Sequence, residues 1–104
     1  MVSLIAAEDC ASMADVRRGV DAIDRALVDL LAERFRFMAA AARIKPERAL
    51  VRDAARKHAV KAAAEAAAVA AGIPPGVAAS LWELLIEASI AYELAAFDAH
   101  DWRE

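Results

Sequence analysis

Residues 14–45 read ADVRRGVDAIDRALVDLLAERFRFMAAAARIK, with no proline and one internal glycine, Gly19. Apolar side chains recur at steps of three and four: Val16, Val20, Ile23, Leu27, Leu30 or Leu31, Phe37 or Met38, and Ala41. That is the period of one long amphipathic helix. Arg34 falls on the apolar stripe rather than opposite it, and Arg17 and Lys45 keep the same heptad-like step. Cations on a face destined for burial need an anionic partner, because a buried unpaired charge is too costly.

The rest of the chain is read outward from this stretch. Residues 1–11 form a loose leader. Ser12 followed by Asp15 has the form of a capping box with Asp in place of Glu, so the first helix starts there. It ends near Arg43 or Ile44, because Lys45 precedes Pro46 and the residue before a proline is pushed out of helical geometry. Residues 46–52, PERALVR, are a short connection, expected to be mobile and to close over a ligand. A second helix, with Asp53 at its start, runs through the alanine-rich segment to Ala71. Gly72 supplies a left-handed stop and Pro74-Pro75 forbids continuation. Gly76 makes the next start ragged. A third helix runs from about Val77 toward Phe97, with Leu81, Leu84 or Leu85, Ala88, Ala91 or Tyr92, and Ala95 expected as its apolar face. Residues 98–104 are a polar tail that frays. The prediction is one all-α domain over 1–104: a three-helix protomer with a long first helix.

Composition narrows the function classes. A chain of 104 residues supports a modest core, for which oligomerisation is a natural supplement. Its hydrophobic fraction of 61% is largely alanine, which favours helix but buries little area. Thr, Asn and Gln are absent, so no neutral amide side chain is on hand. The net charge of −3, with acids and bases interspersed, lacks the footprint of a nucleic-acid binder. No segment is apolar for long enough to span a membrane. The N-terminus lacks the basic region of a signal peptide, and the single Cys10 excludes an internal disulfide. A cytoplasmic protein is expected. His58 and His100 stand alone without ligand spacing, so no metal is expected.

The charges test whether one site is feasible. Arg34 and Lys45 are close to three turns apart and share a face about 16 Å apart along the axis. Long side chains leaning together reach one small dianion. Arg17 and Arg34 are about 25 Å apart along the axis and point in different directions. An antiparallel second copy crossing near residue 29 would bring its Arg17 beside Arg34 and Lys45. A helix of about 45 Å also exceeds the span of so small a domain, so an intertwined homodimer is expected, with two shared sites by symmetry. On the third helix Ser89 and Glu93 are four apart and face the same way. Arg56 adds a cation early in the second helix, with Asp53 and Lys57 beside it. On spacing alone each residue also has an ordinary reading: a snorkelling arginine, a solvated glutamate, a small packing serine, and core positions for Trp82 and Phe97.

At these residues the chain resembles the all-helical class of chorismate mutases and its sister enzymes, the isochorismate-pyruvate lyases of salicylate biosynthesis. The matching pieces are ADVRRGVDAID, LLAER, RIK at the helix end, VRDAAR, and LIEASIAYEL. Together they cover nearly all of the chain from Glu8 to Phe97. The leader EDCASMADVR is more like the lyases, whereas the VRD and EAS segments are more like the mutases. The resemblance implies an intertwined dimer, no cofactor, no covalent intermediate, and a pericyclic reaction on a small dicarboxylate. Arg17 matches the arginine contributed by the partner subunit. Arg34 matches the same-subunit arginine that holds a substrate carboxylate. Lys45 matches the lysine that reaches the ether oxygen and a carboxylate. Asp53, Arg56 and Ser89 match pocket-lining positions.

Two positions depart from the mutase pattern. Glu93 stands where bacterial enzymes usually carry a glutamine that donates to the ether oxygen, although some fungal mutases have glutamate. A carboxyl donates only when protonated, which requires burial to raise its pKa. Lys57 stands where mutases usually carry a glutamate that accepts from the substrate hydroxyl, and the lyases lack that glutamate too. The expected activity is chorismate mutase. The alternatives are isochorismate-pyruvate lyase and a non-catalytic helical interaction module of the same fold.

Overall fold

A computed structural model of the chain describes residues 5–100. The described part is helical, in the order expected: α1 over Met13–Ile44, α2 over Ala54–Ala70 and α3 over Val77–Ala99. Single 3-10 turns occupy Ala7–Asp9 and Arg48–Leu50, and no strand occurs among the described residues. The chain divides into two units, Met1–Arg36 and Phe37–Glu104. Part of the expected leader and tail, residues 1–4 and 101–104, lies outside the described residues.

In the first unit, local chemistry sets where α1 begins. Ser12 Oγ accepts from the Asp15 amide at 3.2 Å, and Asp15 Oδ2 accepts from the Ala11 amide at 3.0 Å. This is a capping box, shifted by one residue on its return arm. The Ala11 amide, then Arg18 at 2.5 Å, holds the Asp15 carboxyl below its ordinary range. The apolar stripe of α1 faces solvent in the single chain. Val16, Val20, Ile23, Leu27 and Leu31 are all exposed, Leu27 to 51%.

The second unit holds the core. Ala42, from the last turns of α1, packs with Val51, Ile86, Ile90 and Phe97, and Val60, Trp82, Leu94 and Ala96 close around them. Asp53 Oδ1 caps α2 by accepting from the Arg56 amide at 3.0 Å. The helix ends in a Schellman motif: Gly72 N–H bonds to Val69 O and Ile73 N–H to Ala68 O, with Gly72 at φ 95°.

Two features differ from the sequence reading. The inner face of α3 is not Leu81, Leu84, Ala88, Ala91, Tyr92 and Ala95, which are exposed, or Leu85, which is half-buried. It is Ala78, Ile86, Ser89, Ile90, Glu93 and Phe97. The helix is apolar on more than one side, so its periodicity does not select which side packs. The start of α3 is also better defined than its glycine suggests. Gly76, at φ 91°, has no capping side chain of its own, but Glu65 of α2 supplies one. Its Oε2 accepts from Gly76 N–H at 2.7 Å and its Oε1 from Ala79 N–H at 3.0 Å. The 46–52 connection touches α3 at both ends of its second half: Val51 is only 4% exposed, and Arg48 and Arg52 both make forked ion pairs to α3.

Candidate functional site

Lys45 is the first residue beyond α1. Its amide still bonds to Ala41 O at 2.9 Å, so its Cα is fixed by the helix while Pro46 turns the chain away. Its Nζ lies 2.7 Å from Glu93 Oε2. Glu93 sits on the inner face of α3 and is 4% exposed. The contact is short but off-axis, and Oε2 accepts no well-aligned hydrogen bond. The ammonium at that distance compensates the buried carboxylate by charge.

Ser89 lies one turn before Glu93 and is 3% exposed. Its Oγ donates to Leu85 O at 2.7 Å, the back-bond common for hydroxyls within helices. Ser89, Glu93 and the ammonium of Lys45 therefore form a polar strip inside an otherwise apolar face. Asp53 and Arg56 are exposed at the start of α2, joined by the capping bond, so Asp53 holds the backbone that carries Arg56. Arg17 and Arg34 belong to the first unit, Arg17 exposed and Arg34 half-buried.

Lys57 is engaged elsewhere. Its Nζ lies 2.7 Å from Glu87 Oε2 and 3.0 Å from Glu83 Oε2, while Lys61 reaches Glu83 Oε1 at 3.1 Å. Arg52 forks onto Glu87 at 2.7 and 3.0 Å. The Arg52 fork, then Lys57, pulls the Glu87 carboxyl from its usual 4.5 down to about 2. Lys57 itself is pushed up, first by Glu87 and then by Glu83. Sequence reasoning missed this network, although a signal was there. Lys57 and Lys61 on α2, and Glu83 and Glu87 on α3, are complementary pairs at the four-residue helical step.

Among the described residues no three His, Cys, Asp or Glu side chains group to hold a metal ion. None of the described helices is long and apolar enough to cross a membrane.

Comparison with known proteins comes to bear on this geometry. The family model for chorismate mutase type II matches residues 16–94. The match spans all of Arg17, Arg34, Lys45, Asp53, Arg56, Ser89 and Glu93. A search of curated proteins returns no match. An all-helical chain matched over most of its length in this way belongs to the chorismate mutase type II family.

Proposed function

We propose that this protein is a chorismate mutase, converting chorismate to prephenate without cofactor or covalent intermediate. The observation that carries the reading is the Lys45 ammonium held on the buried Glu93 carboxylate, inside the segment matched to the family. In the rearrangement one C–O bond breaks as one C–C bond forms, through a chair-like arrangement in which the ether oxygen gathers negative charge. The protein has two tasks. The substrate's two carboxylates must be clamped so that the reacting carbons meet. Donors must await the charge on the ether oxygen.

Arg34 and Arg17 of the partner subunit hold the carboxylates. Lys45 donates to the ether oxygen, and Glu93, a carboxylate on Lys45 in the substrate-free chain, serves as a second donor once it has taken up a proton. Ser89 and Arg56 assist at a carboxylate, with Asp53 keeping Arg56 in place. The functional unit is an intertwined homodimer built on α1, a reading supported by the solvent-facing stripe from Val16 to Leu31. The product would feed aromatic amino acid biosynthesis in the cytoplasm.

Lys57 favours a second reading. With Lys57 bound to Glu83 and Glu87, α2 offers no carboxylate at that position for a substrate hydroxyl. The same clamp would then serve isochorismate, releasing salicylate and pyruvate. Assaying the purified protein with each substrate separates the two. Turnover of neither, together with no binding of a bicyclic transition-state mimic, would leave the fold as a non-catalytic interaction module.

A further inference from the structure

The segment after Lys45 crosses α3 and is fastened to it at two points. Arg48 Nε and Nη2 donate to Asp98 Oδ1 and Oδ2 at 2.8 and 3.2 Å. Arg52 makes the second fork, to Glu87. Glu87 and Asp98 are eleven residues apart, so they lie on one flank of α3, about three turns and about 16 Å apart. Glu93 falls between them along the axis but about 120–140° around the helix, on the inner face. The connection thus meets Glu93 at Lys45, rounds the helix, and is clipped on the flank on either side of that level. Val51, between the clips, is seated in the core.

Both forks are exposed, and exposed ion pairs add little to stability. A forked Arg–carboxylate pair does fix direction, because the two planar groups must align. Lysine, by contrast, ends a flexible four-carbon stem. Helix α1 fixes the Cα of Lys45 from one side through its amide; from the other side the path of the chain is set by the segment from Pro46 to Arg52, clipped to α3. We propose that Arg48 and Asp98, with Arg52 and Glu87 as the second clip, are positioning residues that hold Lys45 on Glu93. This rests on the reading of Lys45 as the donor to the ether oxygen. None of the four touches substrate.

The test uses the full-length protein and the variants Asp98→Asn and Arg48→Lys; the second keeps the charge and loses the fork. Each should lower kcat on chorismate about 2- to 5-fold, with KM within about twofold, because an exposed pair biases the position of Lys45 by no more than its own free energy. Melting should stay within a few degrees of wild type, as expected for exposed pairs. The two changes together should cost no more than either alone. Rising salt should slow the wild type more than the variants, so that the rates converge.

A readout that does not depend on turnover is the side-chain spectrum of lysine-15N-labelled protein. The Lys45 ammonium should be protected from exchange in the wild type and lose that protection in both variants. Wild-type kcat in both variants, or unchanged Lys45 protection, would overturn the inference. Absence of turnover in the wild type itself would instead sink the mutase reading, with the spectrum still able to decide the positioning role.

Discussion

Lys45 Nζ lies 2.7 Å from Glu93 Oε2, yet that oxygen is buried and accepts no well-aligned hydrogen bond. Held this way, the pair is joined by charge more than by directed bonding. A glutamine at 93 would have no charge to offer Lys45, but its amide would always be able to donate. Glu93→Gln should therefore keep or raise turnover of chorismate, whereas Glu93→Ala, which offers no donor, should lower it. The kcat values of the two variants measure this. Equal loss of kcat in both variants would remove Glu93 from the donor role.

The solvent-facing stripe of α1 gives a prediction about assembly. Leu27 lies in its middle and is half exposed in the single chain. Leu27→Glu should yield monomers by sedimentation and abolish turnover. Mixing inactive Arg17→Ala and Lys45→Ala proteins should restore about a quarter of wild-type activity, because half the dimers are mixed and each carries one intact site. No recovery after exchange of subunits would contradict a shared site.

Acid stability should be governed by the network around Glu87. Its carboxyl is held at about 2 in the folded chain against a usual 4.5. A carboxylate lowered on folding contributes stability that is fully present above its usual value and is lost as pH falls through the folded value. The wild type should therefore lose melting temperature between about pH 4.5 and 2, steepest toward the lower end. Asp98 and Glu83, lowered by Arg48 and by Lys57 with Lys61, act in the same direction. Glu87→Gln should be less stable than wild type at pH 6, and the gap should narrow by pH 2. A constant gap would show that the network is not coupled to folding.

Glu65 should matter more for stability than its place on an alanine-rich helix suggests. It satisfies two amides at the start of α3 that no local side chain reaches. Glu65→Ala should cost about 1–2 kcal/mol, or about 5–10 °C of melting temperature. Glu65→Gln should recover part of this, since its one carbonyl oxygen replaces one of two acceptors. An unchanged melting temperature in Glu65→Ala would mean water caps the helix equally well.

These residues also show what the sequence made legible. The helix ends were readable because their signals are local: Ser12 with Asp15, Lys45 before Pro46, Asp53, and Gly72 each act within a few residues. The inner face of α3 was not. Leu81, Leu84 and Ala88 look as apolar as Ile86 and Ile90, and the true inner face carries Ser89 and Glu93, which read as polar. The cap from Glu65 is eleven residues from Gly76, and the Arg48–Asp98 fork joins residues fifty apart. No periodicity encodes such partners. Helical spacing alone picked out Arg34 with Lys45, Arg17 on an antiparallel second copy, and Ser89 with Glu93, and it noted Arg56 early in α2 with Asp53 beside it. The resemblance in order and spacing gave these residues their roles.

The most direct measurement is the initial rate of chorismate loss with purified wild type and Lys45→Ala, with prephenate identified as the product. The expected result is saturable conversion to prephenate by the wild type and a kcat/KM at least about 100-fold lower for Lys45→Ala, the scale of removing one donor to a developing oxyanion. No conversion of chorismate by the wild type, or equal rates for the two proteins, would contradict a mutase built on Lys45 and Glu93.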